Sequence, residues 1–183
     1  TRCPSARLVD LNHELDSEDI LPAALLWLRI YSYYPAGTIH LLALDRGTGP
    51  DRLLAAAAAG QFWLAMEEGG LGLLLEQHPR AQVQAVPLPV RGSFVARDQM
   101  VPLAAAMAAC GLLPGNPVAD WRRLALPPVD PQPGGGVLAE VLHVDRFGNL
   151  LLNAHQGGYG LAEVNGVTVP RRDGHFGSVP AGT

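Results

Sequence analysis

Pro127-Pro128-Val129-Asp130-Pro131-Gln132-Pro133-Gly134-Gly135-Gly136 splits the sequence into two parts of different character. Proline fixes φ and brings no backbone N–H, and glycine gives up the most chain freedom on ordering. Four prolines and three glycines in ten residues therefore exclude regular structure and predict an interdomain linker over 127–136. Upstream, residues 1–126 alternate in an α/β manner. Downstream, residues 137–183 read as a smaller all-β domain.

In the first part, the short apolar run 6–10 reads as a strand. Asp16-Ser17-Glu18-Asp19 offers capping side chains and first-turn acids, and Pro22 is tolerated that early in a helix. Ile20, Ala24, Trp27 and Tyr31 then recur at helical spacing on one face, and Pro35-Ala36-Gly37 ends the run. Residues 38–44 are apolar apart from His40, as in a strand covered on both faces. Residues 53–58 and 62–65 are further buried strands or, being rich in alanine, helix. Gln82-Val83-Gln84-Ala85 alternates like a strand with one wet face. Residues 98–110 read as a helix, with Pro102 in its first turns and Gly111 just past its end. The fold class is α/β: an N-terminal α/β sandwich-like domain and a smaller C-terminal β domain. In the latter, Arg146-Phe147-Gly148-Asn149 and Asn165-Gly166 supply hairpin turns.

The 183 residues suffice for one domain or one and a half with a hydrophobic core, and 48% of them are hydrophobic against 16% charged. A net charge of −4, from 13 basic and 17 acidic residues well mixed along the chain, argues against a nucleic-acid partner. No apolar stretch approaches the roughly 20 residues of a membrane span. Cys3 and Cys110 suggest neither a disulfide framework nor a zinc site, and a reducing cytoplasm suits them. The six histidines are scattered without ligand spacing and read as structural or solvated, so no metal is expected. Glu67-Glu68 reads as a solvated turn.

Two places can carry chemistry. Asp45 stands at the carboxyl end of an apolar strand beside Gly47-Thr48-Gly49, where open α/β sheets place ligands, and Arg52 is near enough to fold back across that turn. A carboxylate beside a guanidinium stays ionised and can orient water or accept a proton; the alternative is a turn acid and a surface arginine. In Asp145-Arg146-Phe147-Gly148-Asn149, Asp can pair with an ammonium, Phe can stack, and Asn can read a base edge. The same residues equally suit an ordinary hairpin turn.

Taken together, the segments resemble the S-adenosylmethionine (SAM) hydroxide adenosyltransferase family, relatives of the fluorinating and chlorinating enzymes. The resemblance rests on Val9-Asp10-Leu11-Asn12-His13-Glu14-Leu15, on Tyr34-Pro35-Ala36-Gly37-Thr38-Ile39-His40 and on Asp45 through Arg52. It continues at Phe94 with Arg97-Asp98 and at Val144-Asp145-Arg146-Phe147-Gly148-Asn149-Leu150. It implies hydrolysis of SAM to adenosine and L-methionine by activated water at ribose C5′, with SAM as substrate and no cofactor. It further implies a homotrimer with the active site between subunits. By motif match, Asp45 and Arg52 fall on the water-activating pair and Thr48 lies near the reacting carbon. Phe94 lines the nucleoside pocket with Phe147 close to the substrate, Asp145 holds the methionine ammonium, and Asn149 reads the adenine.

This chain also departs from the pattern. Hydrolytic members carry a His directly after the aromatic at Phe94, where this sequence has Val95-Ala96. The family's Pro-Asp-Asn-Gly turn is Met66-Glu67-Glu68-Gly69 here, and its Asp-Pro-Gly-Val-Gly loop is Asp45-Arg46-Gly47-Thr48-Gly49. The resemblance implies a strand before Thr1 whose loop grips the ribose diol, and strands after Thr183 carrying an Arg for the methionine carboxylate. The alternative to an active hydrolase is a catalytically impaired SAM- or adenosine-binding relative or an assembly subunit. A halide-dependent transfer fits least, since Asp45 would repel an incoming anion.

Overall fold

The computed structural model describes residues 4–15, 19–44, 51–66, 68–88, 94–133, 136–145, 147–154, 161–164 and 166–170. The chain divides into two compact units, Thr1–Leu126 and Pro127–Thr183. In the first, helix α1 spans Ile20–Ile30, and the Asp19 side chain accepts a hydrogen bond from the Leu21 N–H at 3.1 Å. That contact satisfies one of the donors a helix start leaves orphaned. The buried face is Ile20, Ala23, Ala24, Leu25 and Trp27. A 3-10 turn, Tyr31–Tyr33, follows, and Gly37 takes the positive φ of 82° that turns the chain toward the sheet.

The strands of this unit are β1 (Ile39–Leu42), β2 (Arg52–Ala58), β3 (Gln61–Ala65), β4 (Gln82–Pro87) and β5 (Asn116–Pro117). They form one sheet in the order β1-β3-β2-β4-β5, parallel between β1 and β3 and antiparallel elsewhere. The alanine-rich run is therefore strand. Alanine has little intrinsic liking for strands, so burial decides the outcome. Alternation along β2 and β3 divides their side chains between two clusters. Leu54, Ala56, Trp63 and Ala65 join Ile20, Ala23 and Trp27 of α1 and Leu74 and Leu75 of α2 (Gly72–Gln77). Leu53, Ala55, Leu64 and Met66 join Val95, Met100 and Met107. Those last three come from a π-helical turn, Ala96–Met100, its flank, and helix α3 (Val101–Cys110). The central strands β2 and β3 are thus covered on both faces.

His40 sits in the first layer at 4% exposure. Its Nε2 lies 2.6 Å from Gln61 Oε1, while Gln61 Nε2 donates to the carbonyls of Tyr31 and Tyr34. With the amide orientation fixed by those two donations, Gln61 presents only an acceptor, so His40 Nε2 carries the proton. The imidazole also stacks on Trp63, with centroids 5.2 Å apart. Burial lowers its pKa below the ordinary value, partly opposed by the Gln61 hydrogen bond. The structural reading of this histidine holds.

Two expectations are corrected. Residues 6–10 are not a strand: they lie outside every sheet, with Leu8 91% and Val9 51% exposed. Strand-forming residues become a strand only where a neighbour completes the ladder. The linker run is not free of regular structure either, because β6 (Asp130–Pro131) pairs antiparallel with β7 (Val137–Leu138). Proline is tolerated there because two-residue edge strands ask little of its missing N–H.

The second unit holds two further hairpins, β8 (Val141–Val144) with β9 (Leu150–Leu152) and β10 (Leu161–Val164) with β11 (Val167–Pro170). Gly166 adopts φ +78°, as the turn between β10 and β11 demands, while Asn165 lies outside the described residues. At the base of the β8–β9 hairpin Asn153 is buried. Its Oδ1 accepts from the Glu140 N–H at 2.8 Å and its Nδ2 donates to the Pro127 carbonyl at 2.8 Å, fixing the start of the linker run to the hairpin.

Candidate functional site

Arg52 opens β2, and two partners hold it. Its Nε donates to Glu68 Oε1 at 2.5 Å and its Nη2 donates to the Asp120 carbonyl at 2.9 Å. Glu68 is itself doubly used, since its Oε2 accepts from the Arg122 N–H at 2.8 Å. The Glu68 hydrogen bond raises the Arg52 pKa still further above its ordinary value. Segment 118–124 that supplies Asp120 and Arg122 is anchored on the first cluster through Val118, Trp121 and Leu124. Gly72 permits this approach, because a Cβ there would stand 2.5 Å from the Leu124 nitrogen.

Sequence reasoning missed Glu68, which is no solvated turn residue: its side chain is 17% exposed. Hairpin register was the signal that could have found it. Leu54 pairs with Ala65, so the end of β3 lies beside the start of β2, where Arg52 stands. Asp45 and Thr48 lie outside the described residues.

Phe94 is 60% exposed, and the Arg97 guanidinium carbon lies 4.4 Å from its ring centroid, a cation–π contact. Arg97 is oriented by both oxygens of Asp98, at 2.6 and 2.9 Å. Next along the chain, Val95 turns inward, 5% exposed, into the second cluster with Met100 and Met107.

In the second unit the Asp145–Asn149 turn is built around one carboxylate. Asp145 Oδ1 accepts from the N–H groups of Phe147 and Asn149 at 2.8 and 2.9 Å, and Oδ2 accepts from Asn149 Nδ2 at 2.7 Å. The backbone closes the turn through Gly148 N–H to the Asp145 carbonyl and Asp145 N–H to the Asn149 carbonyl, with Gly148 at φ +84°. These bonds, the Asn149 side chain first, hold the Asp145 pKa below the usual carboxylate value. Phe147 stands 76% exposed at the tip. The structure thus gathers Asp145, Phe147 and Asn149 into one turn, and it places Arg52 and Phe94 in the other unit. Among the described residues no group of three His, Cys, Asp or Glu side chains is arranged to hold a metal ion. No helix among them is long and apolar enough to cross a membrane.

The profile of the SAM hydroxide adenosyltransferase N-terminal domain matches residues 1–114. A curated (R)-S-adenosyl-L-methionine hydrolase of Thermus thermophilus is 35% identical, over 99% of this chain and 76% of that protein. A hydrolase of the same name from Salinispora tropica is 33% identical over 82% of this chain, and the match covers 62% of that protein's length. Among solved structures, an uncharacterized conserved protein from Thermotoga maritima shares the fold. Its TM-score is 0.79 at 21% identity, over 99% of this chain and 77% of that one. A conserved hypothetical protein from Thermus thermophilus has a TM-score of 0.66 at 30% identity, over 93% of this chain and 69% of that one.

Proposed function

Because the chain belongs to the SAM hydroxide adenosyltransferase family, we propose that it hydrolyses S-adenosyl-L-methionine to adenosine and L-methionine. The two relatives, named (R)-S-adenosyl-L-methionine hydrolase, support that substrate with the R configuration at sulfur. The observation in this chain that carries the reading is the preassembled Asp145–Asn149 turn.

Water attacks C5′, the new O–C5′ bond forms as the C5′–S bond breaks, and the sulfur keeps the electron pair as neutral methionine. A sulfonium leaves readily, so the protein's task is to align a small nucleophile and strip it of bulk water. Asp45 orients the water and takes its proton. Arg52 stabilises the developing hydroxide, and Thr48 lies beside the reacting carbon. Phe94 and Phe147 flank the nucleoside, Asp145 holds the methionine ammonium, and Asn149 reads the adenine. SAM enters as substrate, and the reaction as written draws on no cofactor.

A homotrimer with the site between one subunit's N-terminal domain and its neighbour's C-terminal domain completes the proposal. Val141, Val144, Leu150 and Leu152 support it. They form the cross-strand pairs Val141↔Leu152 and Val144↔Leu150 on one face of the hairpin bearing the site turn, and each is more than a third exposed. The exposed free thiol of Cys110 suits a reducing cytoplasm.

Val95 favours a second reading, a SAM- or adenosine-binding relative impaired in turnover, since an apolar core residue occupies the place of the expected His. Incubating the protein with each sulfonium epimer of SAM and following adenosine by chromatography tests the first reading. Adenosine above the Asp45→Ala background supports it. Tight calorimetric binding without turnover supports the second.

A further inference from the structure

Two of the three guanidinium nitrogens of Arg52 are committed to the protein. Nε meets Glu68 Oε1, and Nη2 meets the Asp120 carbonyl. Nη1 is the nitrogen that neither contact occupies. A free arginine side chain wanders over many rotamers, and ordering it costs conformational entropy. Here that cost is met by the fold before any ligand arrives. The carboxylate imposing the order is itself fixed by the Arg122 N–H on its second oxygen. Glu68 stands at the start of a short 3-10 turn, Glu68–Leu71, whose remaining residues are buried, so its backbone is held as well.

We infer that Glu68 is a positioning residue for the reaction: by clamping Nε it aims Nη1 of Arg52 at the attacking water and fixes the 120–122 segment behind it. The inference rests on the hydrolytic reading above. Glu68 does not touch substrate. It acts through Arg52, whose charge it also partly balances, so that the guanidinium stabilises a developing hydroxide without drawing an unrelated anion into the site. A carboxylate suits this better than a neutral amide, because charge-assisted hydrogen bonds to arginine are shorter and roughly twice as strong.

The test compares kcat and KM for SAM hydrolysis in the wild type, Glu68→Gln, Glu68→Ala, Arg52→Ala and the Glu68→Ala/Arg52→Ala double variant, with a thermal melt of each. Glu68→Gln keeps the shape and one acceptor, and guards against a failure of Glu68→Ala to fold. Glu68→Gln is expected to lower kcat about tenfold while KM moves less than about twofold, the mark of an interaction that matters in the transition state. In the Arg52→Ala background, Glu68→Ala is expected to add less than about twofold, because the residue it acts through is gone. Wild-type kcat in Glu68→Gln, or fully additive losses in the double variant, would overturn the inference and leave the hydrolytic reading standing. A wild-type protein that forms no adenosine would overturn both.

Discussion

Asp145 and Asn149 hold each other across a single turn, the carboxylate accepting both the backbone and the side-chain N–H of the asparagine. A carboxylate has about four lone-pair sites. Among the described residues Oδ1 takes two N–H groups and Oδ2 one, and the proposed function gives the methionine ammonium a place on Oδ2. Asn149 still has a second N–H and its carbonyl, the pair needed for a two-point contact with an adenine edge. Asp145→Ala should therefore weaken SAM binding about a hundredfold by calorimetry and Asn149→Ala about tenfold. The folded-state pKa of Asp145 is depressed, so this turn's contribution to stability is present above the unfolded carboxylate pKa of 3.8. It is lost as pH falls through the lower folded value.

Val95→His restores the residue the family resemblance expects, but it places an imidazole in a pocket lined by Leu53, Ala55, Met100 and Met107. Burying a polar ring there without a partner costs about 1–3 kcal/mol. The variant should melt several degrees lower and gain no turnover, as differential scanning fluorimetry and the adenosine assay would show. The position where the family resemblance expects a His is filled in this chain by a core side chain.

His40 predicts a definite acid sensitivity. Its folded pKa is lowered by burial, so between that value and the unfolded 6.5 the unfolded chain binds the extra proton. Stability should therefore fall as pH drops below about 6.5, by up to about 1.4 kcal/mol per pH unit until the folded pKa is reached. His40→Phe should lower stability at pH 7.5, because Gln61 Oε1 loses its donor, yet it should remove this part of the acid slope. Urea denaturation at pH 7.5 and pH 5.5 measures both effects.

Ala59 and Gly60 join β2 to β3 with φ values of +48° and +75°, and Ala59 is the one non-glycine residue with positive φ among those described. A left-handed alanine is strained by roughly 1–2 kcal/mol, and Asn-Gly is the pair that such two-residue hairpins favour. Ala59→Asn should raise the melting temperature by a few degrees without altering turnover.

These residues also show what the sequence could reveal. Helix α1 was legible because Asp19 and the Ile20, Ala24, Trp27 spacing are local signals, and the Asp145–Asn149 turn because its chemistry lies within five residues. The alanine-rich strands were ambiguous until burial between two helical layers decided them. Glu68 escaped because its role depends on Arg52, sixteen residues earlier, and on a hairpin register that no composition reveals. The 6–10 run misled because strand propensity says nothing of whether a pairing partner exists.

In the proposed reaction water, delivered at C5′, displaces methionine. The most direct measurement is turnover of SAM in water enriched in oxygen-18, with the products read by mass spectrometry. Adenosine is expected to carry one heavy oxygen at its 5′ position and methionine none. Heavy oxygen in methionine, cleavage of a different bond at sulfur, or the absence of adenosine would contradict that reaction.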